Sequence, residues 1–274
     1  MDKDTTIGFI GAGHMTLSLV SGLVESGIKP NQIWVSDRNE SKLKALSTQF
    51  GVNTESTNQA IAKAVRVLVL SVKPKDMQAV CLELQSLVQE RMPLIISLAA
   101  GILTSQLARW LGANTAIVRA MPNTPALLRV GATGLYANTR SSEEQKNLAE
   151  SLMRAVGVTV WVNHEHDMDI ITALSGSGPA YFLLMMEWLQ KGAEELGLST
   201  NAARLLTLQT SLGAARMAME SDISLEELRK RIATPGGTTE AALKTLEAGG
   251  FRTLLKKTLE AAKTRSEEIS HLFD

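Results

Sequence analysis

One cysteine cannot form a disulfide within a chain, and Cys81 is the only one among 274 residues. It falls in a helical pattern between Ala79-Val80 and Leu82, where a small buried hydrophobe is expected rather than redox chemistry. Net charge is missing as well. The 28 Lys and Arg balance 28 Asp and Glu, so no overall field draws in nucleic acid or an anionic membrane, and charge selectivity must be local. Long apolar runs are also lacking. The stretch from about Val65 to Val72 stops at Lys73-Pro74, far short of the ~20 residues a membrane-spanning helix needs. The start, Met1-Asp2-Lys3-Asp4, has neither the basic nor the apolar region of a secretory signal, so the expected compartment is the cytoplasm. No metal is expected: His164-Glu165-His166 looks ligand-like, but no further His or Cys stands at ligand spacing, and a solvated turn fits better.

What is present is ordinary globular material, 45% hydrophobic and 20% charged, enough for one large domain or two modest ones. Short β-rich runs alternate with amphipathic segments through the first 160 or so residues. Strands are expected at Thr6–Ile10, Ile33–Ser36, Val67–Ser71, Leu94–Ser97 and Ala116–Ala120, and weaker ones at Gly131–Tyr136 and Thr159–Val162. That order implies an α/β fold, a Rossmann-type doubly wound sheet. Beyond Val162 only helical patterns remain: Asp167–Leu174, Pro179–Leu196, Thr200–Met219, Leu225–Ile232, Thr239–Ala248 and Phe251–Ser270. Two domains are therefore expected, 1–162 for a dinucleotide and 163–274 all helical. The segment around Leu205–Met219 is apolar around much of its circumference, which in so small a domain implies cover by a second subunit.

Ile7-Gly8-Phe9-Ile10-Gly11-Ala12-Gly13-His14-Met15-Thr16 follows the dinucleotide fingerprint through its first two glycines, with Thr16 where a third Gly or Ala is usual. Gly11 permits the tight turn, Gly13 lets a pyrophosphate approach, and a helix over Met15–Ser26 aims its N–H groups at the phosphates. His14 is expected to contribute its backbone. About 23 residues beyond Gly13, where the adenosine ribose is met, stand Ser36-Asp37-Arg38-Asn39. Asp37 favours the 2′-hydroxyl of NADH. Ser36 and Arg38 favour the 2′-phosphate of NADPH, which is the preferred expectation because the two together make a phosphate clamp, with Asp37 expected to turn to solvent. Other strand ends, Ser71-Val72-Lys73-Pro74 and Ser97-Leu98-Ala99-Ala100-Gly101, place small residues where a ligand crevice forms, and Met121-Pro122-Asn123-Thr124-Pro125 is a rigid turn offering Asn123 to a ligand.

A second glycine loop, Pro235-Gly236-Gly237-Thr238-Thr239, opens a helical segment whose positive end suits a small anion, although the threonines also make good caps. Ser175-Gly176-Ser177-Gly178-Pro179 breaks another helical pattern.

Together with Gly8–Gly13, Val72-Lys73-Pro74, Met121–Pro125 and Ala173–Tyr181, that loop gives an ordered set which resembles the Δ1-pyrroline-5-carboxylate reductase family along essentially the whole chain. The resemblance implies hydride transfer from NADPH, or NADH, to a small cyclic imine acid, giving L-proline. It implies a carboxylate anchor on the Gly237-Thr238-Thr239 backbone and a hydrogen bond between the Thr239 hydroxyl and the ring nitrogen. Ser175 and Glu165 are implied near the substrate. Gly11, Ala12, Gly13, His14, Met15, Ser36, Arg38, Asn58, Ser71, Val72, Lys73, Pro74, Ala99, Ala100 and Asn123 are implied at the cofactor. The family also implies an intertwined dimer, often grouped into a ring such as a decamer. His14, Thr16 and Ser71 depart from the family's usual residues. A β-hydroxyacid dehydrogenase, with Lys191 as proton donor, is the rival enzyme reading; a cofactor-binding protein without turnover is the rival from another class.

Overall fold

The computed structural model describes residues 5–273; residues 1–4, read above for a signal, lie outside it. The chain divides into two compact units. One runs to Ser177 and takes in the chain from Ala261 onward, and the other spans Gly178–Glu260.

The first unit holds β1 (Ile7–Ile10), β2 (Ile33–Ser36), β3 (Asn53–Glu55), β4 (Val67–Leu70), β5 (Leu94–Ser97), β6 (Ile117–Met121), β7 (Gly131–Ala137) and β8 (Gly157–Trp161). They form one sheet in the order β3-β2-β1-β4-β5-β6-β7-β8, with every neighbouring pair parallel except β6 with β7. The doubly wound sheet expected from the sequence is there. It has one strand more, because β3 is Asn53-Thr54-Glu55 at the sheet edge and carries no apolar alternation.

The central strands are continuous apolar runs because both their faces are covered. Val67 and Val69 of β4 pack in one core, and Leu68 and Leu70 in the other. The first core is completed by α1 (His14–Glu25), α2 (Glu40–Phe50) and α6 (Glu143–Arg154) through Leu19, Leu43 and Leu152. The second is completed by α3 (Asn58–Ala64), α4 (Pro74–Arg91) and α5 (Thr104–Leu111) through Ile61, Cys81 and Leu107. Each fully buried aliphatic side chain contributes about 1.5–3 kcal/mol of hydrophobic stabilisation.

The break expected at Ser175–Pro179 is subtler than a loop. Helix α7 (Asp167–Ile171) passes into a π turn over Thr172–Gly176, in which the Ser177 amide donates to the Thr172 carbonyl five residues back at 2.9 Å. The second unit is helical as expected: α8 (Gly178–Glu195), α9 (Thr200–Met219), α10 (Leu225–Ile232) and α11 (Thr238–Ala248), with α12 (Phe251–His271) continuing past Glu260. Helix α11 starts one residue earlier than expected, with Gly237 as its N-cap.

Candidate active site

β1 and β4 are neighbours from which the sheet winds in opposite directions, so a crevice opens beyond their carboxyl ends. Gly11 leaves β1 with φ +103° and donates its N–H to Ser36 O at 2.8 Å. A Cβ there would lie 2.8 Å from Ser71 O, so both the torsion and the approach require glycine. Gly13 is the N-cap of α1, whose first turn has no side-chain cap and no acidic residue; a Cβ on Gly13 would meet nothing within 4 Å. An uncapped helix end facing open space is what a pyrophosphate needs, so the residues fit a dinucleotide. His14 is exposed and Met15 half-buried at the start of that helix.

At the adenosine end two expectations are corrected. Asp37 does not turn to solvent: its Oδ2 accepts the Ala12 N–H at 2.7 Å and its Oδ1 the Asn39 N–H at 2.8 Å. Ser36 is fully buried, and its hydroxyl donates to Asn58 Oδ1 at 2.9 Å while Asn58 donates to Glu83 at 3.1 Å. The two-residue clamp thus reduces to Arg38. Its side chain is 93% exposed, with Asp76 3.9 Å away, a contact too solvated to hold it.

A cleft of about 310 Å³ lies further along the carboxyl edge, bordered by Met15, Ser71 and Val72 on one side and by Leu98, Met121, Asn123 and Gly176 on the other. Lys73 is exposed at the N-terminus of α4, where Pro74 supplies a preset φ and needs no N–H partner. Ala99 and Ala100 follow β5 and keep the edge low. Asn123, expected to be free for a ligand, is a cross-link. It donates to Ser175 O at 3.0 Å and accepts the Ala132 N–H at 2.9 Å, tying the π turn to β7. The Ser175 hydroxyl donates back to Ile171 O at 3.1 Å, a bond within its own helical turn.

Glu165 is likewise engaged. Its carboxylate accepts from Thr104 N at 2.6 Å and Thr104 Oγ1 at 2.8 Å, capping α5 from a distance, and pairs with Arg119 at 3.0 Å. Arg119 sits on β6 with its side chain 3% exposed, and the pairing of β6 with β7 sets Tyr136 opposite it. Burial, then the Glu165 charge, raise the Tyr136 phenol above its ordinary value, with Arg119 opposing. Sequence reasoning missed Arg119 because a lone arginine in an apolar strand shows no motif. The signal available was that very isolation, since a buried arginine needs a carboxylate.

The loop of the second unit has its own geometry. Gly236 adopts φ +73°, and its N–H donates to Glu240 Oε2 at 2.9 Å. The Gly237 N–H is taken by Thr234 O at 3.0 Å, so it differs from the expectation that it anchors an anion. No side chain caps the N-terminus of α11, where Thr238 is exposed and Thr239 half-buried. Lys191, the rival reading's proton donor, instead pairs with Glu187 on its own helix and lies 4.8 Å from the Trp188 ring centroid. His164 and His166 stack on an exposed turn, and among the described residues no group of three or more His, Cys, Asp or Glu could hold a metal ion.

A doubly wound sheet with an open, uncapped helix end at its switch point defines a dinucleotide-dependent oxidoreductase fold. Residues 6–101 match the family model described as NADP oxidoreductase coenzyme F420-dependent, and residues 165–269 the one described as pyrroline-5-carboxylate reductase dimerisation. The pyrroline-5-carboxylate reductase of Pseudomonas aeruginosa is 47% identical over 96% of each chain. A solved pyrroline-5-carboxylate reductase from Coxiella burnetii is 49% identical, with a TM-score of 0.93 over 97% of this chain and 99% of that one. The Plasmodium falciparum pyrroline carboxylate reductase, solved with NADP bound, is 28% identical, with a TM-score of 0.87 over 98% and 99%. The chain belongs to the pyrroline-5-carboxylate reductase family.

Proposed function

We propose that this chain reduces the C=N bond of Δ1-pyrroline-5-carboxylate to L-proline, with NADPH as the preferred cofactor and NADH as an alternative. The observation that carries this reading is the pair of uncapped helix N-termini, α1 beside an open crevice and α11 behind a glycine turn, in a chain of this family. The first suits a pyrophosphate and the second a single carboxylate. Bound NADPH supplies the hydride. The protein's share is to hold, orient and keep water out.

In this reading the N–H groups at the start of α1 hold the pyrophosphate, and Arg38 meets the 2′-phosphate. The Thr238 and Thr239 amides hold the substrate carboxylate, and the Thr239 hydroxyl hydrogen-bonds the ring nitrogen. A cyclic imine that enters already protonated carries its own electrophilic activation, so no strong base is required, and the site offers none. Glu165 and Asn123 act by positioning the surrounding segments, since their polar atoms are already engaged.

The domain assignment proposed is 1–162 for the dinucleotide and 163–274 for substrate and dimerisation, supported by a dimerisation match that begins at 165. The dimer would cover the apolar faces of α8 and α9; assembly of dimers into a decamer and a cytoplasmic location complete the proposal. No helix is long and apolar enough to cross a membrane among the described residues.

The test is NADPH and NADH oxidation at 340 nm with Δ1-pyrroline-5-carboxylate, beside proline-dependent reduction of both oxidised cofactors at alkaline pH. Imine-dependent oxidation, faster with NADPH, is expected. Turnover of a β-hydroxy acid but not of the imine would move the assignment to the rival dehydrogenase.

A further inference from the structure

Thr16 stands where the dinucleotide fingerprint usually has a third small residue, and Ser71, the residue just beyond β4, lines the cleft. The two side chains meet. Thr16 is fully buried, its Oγ1 lies 2.6 Å from Gly11 O, and Ser71 Oγ lies 2.9 Å from the same Thr16 oxygen.

The proton positions follow from donor counting. A carbonyl only accepts, so a 2.6 Å contact between it and a hydroxyl oxygen places the Thr16 proton on Gly11 O. Thr16 Oγ1 then has only lone pairs left for Ser71, and the Ser71 proton must lie on Thr16. Ser71 Oγ therefore faces the cleft as an acceptor.

We infer that Thr16 is a positioning residue for the cofactor, fixing Ser71 Oγ as an acceptor for a hydroxyl or amide N–H of the dinucleotide. The inference rests on the proposed function only in placing the cofactor in this cleft. Thr16 also ties the Gly11 turn to the end of β4, spanning the mouth of the crevice with two hydrogen bonds where a glycine or alanine would leave none. Bulk at the third position is thus compensated by bonding.

The experiment is equilibrium binding of NADPH by calorimetry, together with the thermal midpoint of the apo protein, for wild type, Thr16→Val, Ser71→Ala, the double variant and Thr16→Ser. Each of the first two single changes should weaken NADPH about three- to tenfold, and the double variant should be no weaker than the weaker single, because both remove one acceptor orientation. Thr16→Ser, which keeps the hydroxyl, should bind within about twofold of wild type. Additive losses, unchanged affinity in Ser71→Ala, or affinities that merely follow the apo midpoint across the series would overturn the inference. Wild type that binds neither NADPH nor NADH would remove the cofactor assignment itself, and the inference with it.

Discussion

The second compact unit is the richer in leucine and alanine, yet the first is the one that builds cores from them. In the first, apolar side chains of the sheet and its flanking helices form two cores, one on each face. Between Gly178 and Glu260 the one apolar side chain counted as buried among the described residues is Ala203, while Leu205 is 67% and Leu212 55% exposed on α9. Helix α8 likewise shows Phe182, Leu183, Trp188 and Leu189 to solvent. A unit with this much uncovered apolar surface and no core cannot be stable alone. The first unit is a folding module, and the second becomes one only when another surface covers it, which the proposed dimer supplies.

The sharpest way to break this contrast is to charge the face of α9. Leu205 and Leu212 are seven residues apart on one helical face, so Leu205→Glu/Leu212→Glu puts two carboxylates where apolar contact is needed. Light scattering should show the mass falling to that of one chain, with loss of helical circular dichroism. The equivalent insult in the first unit, Leu128→Glu at an exposed site, should change neither. An intact oligomer in the double variant would mean that α9 is not the covered face.

Removing the buried cation of the first unit is the next largest step. Arg119→Met leaves the Glu165 carboxylate with only its Thr104 partners, and about 3 kcal/mol of stability should be lost in denaturant unfolding. Adding Glu165→Gln should recover part of that loss. If Arg119→Met is neutral, the pair is not what anchors α5 to β6.

Legibility in the sequence follows the same division. The sheet was readable because its strands are apolar runs separated by helical periodicity, and Gly11 and Gly13 could be assigned their backbone roles since a torsion and an open approach leave no choice of residue. Side-chain direction was not readable. Ser36 was expected at the 2′-phosphate and Asn58 at the cofactor, and they bond one another; Asp37 reaches back to Ala12 instead of to solvent, and Asn123 spends its amide on two backbone partners. Each outcome depends on which turn, helix start or strand the fold brings within hydrogen-bond distance, information that does not reside in local pattern. The over-apolar character of α9 was visible in sequence because nothing in so short a helical segment could cover it.

Smaller effects sharpen the division of labour between the glycine loops. Thr239→Val removes one hydroxyl from the second loop and should lower kcat/KM for the imine about tenfold, with NADPH affinity unchanged. Arg38→Ala acts on the other partner: in the proposed reading NADPH should weaken about fivefold and NADH about twofold or less, since only a 2′-phosphate would meet the guanidinium. Equal losses for the two cofactors would remove that role from Arg38.

The smallest effect concerns Cys81, a reporter placed by chance in the first unit alone. Burial pushes its thiol up to about 12 from an ordinary value of 9.0. Between those values the folded chain keeps a proton that the unfolded chain has lost, so stability is full below about pH 9 and falls as pH rises toward 12. Cys81→Ala should flatten that alkaline decline. At pH 8 the buried, protonated thiol should react with an aromatic disulfide reagent only when the second core opens. Its labelling rate therefore measures opening of the first unit without interference from the second. The same slow rate in Leu205→Glu/Leu212→Glu as in wild type is expected if the sheet unit folds on its own contacts, whereas a large acceleration would show that covering α9 also supports the sheet.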